Sequence, residues 1–407
     1  MKRSRIVYFL FLFSGITALI YEVVWTRMLT LAFGHTVFSV SIVLASFMAG
    51  LGFGSYFSGH AINHIGGKKT QSDSSSLSRE FSEDLGTSSL LLIYGWIEIA
   101  LFLLCLVVSL ILFKFSVIYS WFSFFVPESI VVQNIFKSFL AFILMFIPAS
   151  LMGATLPIIS QYYITDNIKL DARLGLLYGI NTFGAALGCL LAGFFLIANF
   201  GVLQTVLAAT VLNLFVGISA IRIYQESVES SRGLRFPHFT IPKISWEGDQ
   251  WLWIVVSFVC GFTALSYEVL WTRLLIFSTS STVYSFSMML GVFLIGISLG
   301  SFLVVAVFRS SLNLRTVLVL LQVGIGLYVI GSLYNMEQLL STPWNSYNLQ
   351  KPAFVFWRYF LDSSALMLLP TIALGMSFPI LVKIISNGHE RIGKGTGQIY
   401  GANTFGA

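Results

Sequence analysis

Charged residues are what this 407-residue chain has least of: they make up 10% of it, while hydrophobic residues make up 57%. An ordinary soluble domain carries about 25% charge. Together with a mean hydropathy of +0.86, that shortage excludes a water-soluble fold and makes the lipid bilayer the main partner of the chain. The net charge of +6 does not point to nucleic acid, because excess Lys and Arg in such a chain belongs in cytoplasmic loops. Cysteine is scarce too. Cys105, Cys189 and Cys260 all lie in apolar runs, which reads as small buried hydrophobes and excludes a disulfide framework. Also missing is any alternation of strands and helices with a glycine cluster after a strand, so no nucleotide site is expected. The one glycine-rich stretch, GKGTGQ at Gly393–Gln398, falls in a short loop between helices. His60 and His64 have a ligand-like spacing but no third ligand, and no metal site is expected.

Long apolar runs dominate instead. A helix needs about 20 apolar residues to cross the hydrocarbon core. The sequence predicts spans near 6–33, 36–62, 88–113, 131–163, 175–198, 202–223, 252–277, 283–307, 315–335, 356–387 and 396–407, the last too short to cross. The first run continues past signal-peptide length, so it reads as an uncleaved helix. With the N-terminus placed inside and the spans alternating, only Arg27, Lys114, Lys137, Arg273, Lys351 and Arg358 of the 23 Lys and Arg fall outside the cytoplasmic segments. This predicts a cytoplasmic N-terminus in what reads as a plasma (inner) membrane protein. Residues 68–87, KKTQSDSSSLSREFSEDLGT, read as a flexible Ser-rich loop.

The chain is written twice. YEVVWTRML at Tyr21–Leu29 returns as YEVLWTRLL at Tyr267–Leu275, with seven of nine residues unchanged. HTVFSVSIVLASFMAGLGFGS from His35 returns as STVYSFSMMLGVFLIGISLGS from Ser281. IPASLMGATLPIISQYY from Ile147 returns as LPTIALGMSFPILVKII from Leu369, and LYGINTFGA at Leu177 as IYGANTFGA at Ile399. Such self-similarity means two copies of one structural unit. Residues 1–223 form the first membrane repeat, with six helices. Residues 224–250 form a cytoplasmic linker, and 251–407 form a second, incomplete repeat. Six is even, so the copies enter from the same side and are parallel. The expected fold is an all-α polytopic membrane protein of about 10–11 transmembrane helices in two parallel six-helix repeats. The halves of major facilitator transporters are arranged in this way. The loop GHAINHIGGKK, Gly59–Lys69, resembles a motif of that superfamily, with Asn63 where Asp is usual and Gly67 where Arg is. Ala407 aligns with Ala185, after which the first copy continues through a further helix, so the second copy is expected to be a truncated one.

SGITALIYEVVWTRML followed by a glycine-rich second helix, together with YGINTFGA, resembles the membrane region of membrane-bound spermidine-synthase-like proteins. In these a facilitator-like domain is fused to a polyamine aminopropyltransferase. The resemblance implies that this chain handles a polyamine or another organic cation, or anchors a catalytic domain. The residues of that domain, and the decarboxylated S-adenosylmethionine it would use, are not among these 407. No residue of this chain is therefore assigned a catalytic role, and no cofactor is expected to bind it. Two alternatives stay open: a stand-alone facilitator-like transporter, and a non-transporting membrane scaffold.

The candidate functional residues are the few charges inside the apolar runs. Glu22 and Glu268 sit roughly 24 Å along their helices, and Arg27 and Arg273 lie further toward the outer interface. On one helix Glu22 and Arg27 are about 140° apart and do not share a face. Across the repeat, Glu22 could meet Arg273 and Glu268 could meet Arg27, holding the halves together. Alternatively, the two carboxylates form a cation or amine site. Glu98, in the third span, could line a cavity. Tyr178, Asn181, Tyr400 and Asn403 recur within the fifth helix of each half, as polar helix contacts or substrate contacts. Pro157 and Pro379 match between copies and predict kinks. Gly50, Gly52, Gly54, Gly184, Gly188 and Gly193 predict close helix approach.

Overall fold

The computed structural model describes residues 2–34, 36–62, 76–122, 124, 129–163, 170–228, 250–279, 282–310, 312–334, 352–386 and 392–407. The loop carrying Asn63, His64 and Gly67, and most of the linker, lie outside them. Among the described residues there is no strand. The elements are α1 (Lys2–Phe33), α2 (Thr36–Ile62), α3 (Ser76–Phe113), the short α4 (Phe115–Phe122), α5 (Ile130–Tyr162), α6 (Leu170–Leu191) and α7 (Ile197–Val228). The second copy contributes α8 (Gln250–Thr279), α9 (Thr282–Arg309), α10 (Leu314–Tyr334), α11 (Pro352–Ile385) and α12 (Ile392–Gly406).

Nine helical stretches among the described residues are long and apolar enough to cross a membrane. One of them, Arg173–Glu226, is 54 residues long. At 1.5 Å per residue that is about 81 Å, far beyond a hydrocarbon core of about 30 Å. It is two spans. A π-helical turn at Ala192–Leu196 follows α6, and Gly201 turns the chain back with φ 80° and ψ 175°. Only glycine takes that backbone conformation without strain. The chain is therefore an integral membrane protein of the all-helical, many-span class. Two expectations need correction. The Ser-rich stretch is helical from Ser76 onward, because Leu77, Arg79 and Glu80 are good helix formers. The glycine-rich stretch Gly393–Gln398 lies inside α12 and not in a loop between helices; Pro148 and Pro157 stand within α5, and Pro370 and Pro379 within α11.

The repeat is legible in the packing. A Cβ placed on Gly54 of α2 would run into the Ser150 carbonyl of α5. The matching Gly300 of α9 meets the Ile372 carbonyl of α11 in the same way. Gly153 lies against the Leu51 backbone, and its counterpart Gly375 against Ile297. Gly15 of α1 abuts the Asn181 carbonyl of α6, just as Gly261 of α8 abuts that of Asn403 in α12. Gly184 meets the Leu12 carbonyl as Gly406 meets that of Phe258. Lipid gives no hydrophobic drive to helix association, so contact this close is what van der Waals packing requires.

Two further seams join the copies. Between α2 and α12, a Cβ on Gly397 would come 2.6 Å from the Ser55 carbonyl. Between α6 and α9, a Cβ on the matching Gly175 would come 2.8 Å from the Ser301 carbonyl. The seams are related by the same twofold as the copies, and the molecule is two parallel repeats about one axis. The copies differ in one respect. In the first, α7 packs on α1 and α3, with Gly95 and Gly217 touching. In the second, Gly324, Gly326 and Gly331 of α10 have nothing within 4 Å of where a Cβ would stand.

Candidate functional site

The repeated nonapeptide has one local structure, built twice. In α1 the Tyr21 ring stacks on Trp25 with centroids 5.6 Å apart and an interplanar angle of 27°. In α8, Tyr267 and Trp271 stack at 5.6 Å and 29°. The Thr26 hydroxyl donates to the Glu22 carbonyl at 2.7 Å, and Thr272 donates to that of Glu268 at 2.8 Å. Stacking and back-bonding occupy the Tyr, Trp and Thr of each copy. What they leave over is the carboxyl.

Both carboxyls point inward. Glu22 and Glu268 are each 4% exposed, in helices whose lipid-facing sides are apolar. Oε1 of each is buried without a hydrogen-bond partner. The Glu22 carboxyl acts electrostatically on Glu268, and both act on the Cys189 thiol. That thiol, on α6, donates to the Ser287 carbonyl of α9 at 3.4 Å, so it sits in the α6–α9 seam. The cross-repeat ion pairs expected from the sequence do not form. Arg27 is half-buried and Arg273 exposed, and neither arginine contributes to the electrostatics of either carboxyl. Their position five residues beyond the glutamate puts the guanidinium on another face of the helix, where it can snorkel. An Arg273→Gln change is therefore expected to alter cation binding by less than about twofold. A Glu268→Gln change in the same assay is expected to lower it by about tenfold or more, and equal losses in the two variants would restore the ion-pair picture.

The recurring tyrosines reach the same place. Tyr400 of α12 is within electrostatic range of Glu22, and Tyr178 of α6 within range of Tyr400. Phe378 of α11 packs on both, with ring centroids 4.4 Å from Tyr178 and 5.7 Å from Tyr400. Both tyrosines are only half-buried. The asparagines act elsewhere. Asn403 Nδ2 donates to the Ser257 carbonyl of α8 at 3.2 Å, and the Asn181 backbone carbonyl abuts Gly15. These bind fifth helix to first helix in each copy. Two carboxyls, two phenols and an aromatic ring gathered from both repeats are an arrangement suited to a cation. Negative charge meets its charge, and ring faces meet its apolar body.

Glu98 stands apart from this site. It is fully buried in α3, and its Oε1 accepts from the Ser14 hydroxyl of α1 at 2.6 Å. Among the described residues no group of three or more His, Cys, Asp and Glu gathers as metal ligands. His60 Nδ1 lies 2.9 Å from the Tyr56 carbonyl in its own helix, and His64 lies outside the described residues. The sequence did not reveal that Tyr178 and Tyr400 would join the glutamates, although their recurrence was the available signal. Nor did it reveal Cys189 within range of both carboxyls, which as a lone cysteine in an apolar run gave none.

No protein-family model and no curated protein matches the sequence. Among solved structures, the chain is similar to the crystal structure of a variant of the E. coli fucose:proton symporter, FucP. The TM-score is 0.42 at 13% sequence identity, over 97% of this chain and 89% of that one.

Proposed function

We propose that this chain is a facilitator-like membrane carrier that binds a small organic cation between its two repeats, with Glu22 and Glu268 as the charge-bearing ligands and Tyr178, Tyr400 and Phe378 around them. One observation carries the reading. Two carboxyls, equivalent in the repeat, are buried within electrostatic range of one another, and among the described residues no basic side chain neutralises them. A buried charge is expensive unless paired, and a carboxyl inside a membrane protein normally faces a pathway or a partner. Here the missing partner is the cargo. A diamine or polyamine suits two carboxyls better than a single charge does, because each ammonium can take one of them.

On this reading residues 1–223 and 251–407 are the two moving bodies, joined by 224–250. The N-terminus is cytoplasmic and the membrane is the plasma membrane. The resemblance to spermidine-synthase-like proteins favours the same cargo class. The reading as an anchor for an aminopropyltransferase domain rests on those motifs alone, and nothing at the site favours it. Uptake of radiolabelled putrescine or spermidine into proteoliposomes tests the proposal. Saturable uptake well above that of protein-free liposomes is expected, competed by unlabelled polyamine. Uptake no greater than in protein-free liposomes overturns the reading.

A further inference from the structure

The corner where α1, α3 and α7 meet holds a second group of buried polar atoms that the carboxyl pair does not use. Glu98 Oε1 accepts from Ser14, but Oε2 is buried with no hydrogen-bond partner. The Tyr94 phenol lies beside this carboxyl and points at the Leu10 carbonyl, 3.4 Å away. On α7, Asn213 is 1% exposed, and neither its Oδ1 nor its Nδ2 has a partner. The helices that carry these two side chains cross closely at Gly95 and Gly217. A Cβ on Gly217 would stand 2.8 Å from the Gly95 carbonyl and 3.1 Å from the Ile99 nitrogen. Asn213 lies one turn from Gly217 on α7, and Glu98 lies three residues from Gly95 on α3, where its carboxyl meets Ser14 of α1. Thr17 is also buried in α1, its hydroxyl turned back to the Ser14 carbonyl at 2.9 Å.

Among the described residues no cation neutralises this carboxyl. The titratable groups that feel its charge are Tyr21 of α1 and Tyr94 and Cys105 of α3. Lys137, the one lysine of α5, is drawn to the Tyr119 ring, 4.5 Å from its centroid. The charged groups of α7, Arg222 and Glu226, lie more than two turns beyond Asn213. A buried carboxyl with one unpartnered oxygen and a buried amide with none of its polar atoms paired therefore flank the α3–α7 crossing, to which the described residues bring no positive side chain. Orphaned buried polar atoms are rare in native structures and call for an explanation, of which a bound ion is one.

We infer that Glu98, Ser14 and Asn213 form a binding site for a small monovalent cation, a proton or a sodium ion, distinct from the Glu22–Glu268 pair. Oxygen donors and one charge suit either ion, and neither binding event forms or breaks a bond other than O–H. The inference does not rest on the proposed cargo, so its test leaves the cargo site out.

The test uses full-length protein in nanodiscs, carrying Glu22→Gln and Glu268→Gln, with the thermal unfolding midpoint as readout. One arm titrates NaCl against choline chloride at constant ionic strength, and the other titrates pH without sodium. The expected result is a saturable rise of the midpoint in one arm. Saturation with sodium identifies the sodium ion, and a response to pH alone identifies the proton. Adding Glu98→Gln should abolish that response, while Ser14→Ala and Asn213→Ala should each shift its midpoint about tenfold in ion concentration. Those two variants decide the matter if Glu98→Gln does not fold. A background protein that responds in neither arm overturns the inference, as does a response that survives Glu98→Gln or is unchanged in both alanine variants.

Discussion

Changing Glu22 and Glu268 together to Gln is expected to abolish polyamine binding and uptake while the protein still folds. Each ammonium–carboxylate contact in a desolvated site is worth about 2–5 kcal/mol when one partner is removed, or roughly 30-fold to several thousand-fold in affinity. The single changes are expected to weaken binding by similar factors, because the two carboxyls are equivalent under the pseudo-twofold. Stability is expected to move the other way. A buried carboxyl with an unsatisfied oxygen costs more than a neutral amide of the same shape, so the double variant should unfold at the same temperature or higher. Affinity by scintillation proximity and unfolding temperature on one preparation check both parts. Unchanged binding with a collapsed unfolding temperature would assign the glutamates a purely structural role and remove the cargo site. A gain in stability with lost binding is the signature of a ligand site held at the expense of the fold.

The second large effect lies in the seams. Gly54→Leu and Gly300→Leu are each expected to cost about 3 kcal/mol or more, the upper range for overpacking, because the added carbons meet the Ser150 and Ile372 carbonyls. A carbonyl in a helix cannot swing aside as a side chain can, so the whole helix must shift. The two losses should match, since the contact is the same one made twice. Gly324 is the control. Nothing lies within 4 Å of where its Cβ would stand, and Gly324→Ala should leave stability unchanged or raise it by about 0.5–1 kcal/mol through helix propensity. Size-exclusion profiles of detergent-solubilised variants after graded heating would show a parallel loss for the first two and none for the third.

Much of this could be read from the amino acids alone. The spans follow from the apolar runs because lipid leaves the backbone no alternative to helix. The turn at Gly201 falls between the two spans that sequence places at 175–198 and 202–223. The seam glycines were legible as small residues at helix spacing. Gly193 differs in meeting a side chain, that of Ser287, and Gly52 in lying only at ordinary contact distance from Gly401 and Phe405. The site was legible in its parts and not in its pairing. Opposite charges five residues apart suggest an exchange of ion pairs between copies, but helical geometry sends Arg27 and Arg273 to another face. The repeat brings like to like, glutamate within range of glutamate. Asn213 gave no warning in the sequence. It stands singly in an apolar helix, and its unpaired amide shows only in the packed structure.

The equivalence of the two carboxyls in the repeat also bears on where such a site could have come from. The seams that frame it are two equivalent contacts between copies, Gly397 on Ser55 and Gly175 on Ser301. That is an isologous interface, the kind a protein makes with itself. A half-length chain that paired with a second copy of itself would present the same two glutamates and the same two tyrosines across its dimer axis. The site therefore needs no invention after duplication. Fusion of two genes would make permanent a pocket that a homodimer already possessed. It would also free each half to change alone, as α3 has done with Glu98, while α10 carries no acidic residue.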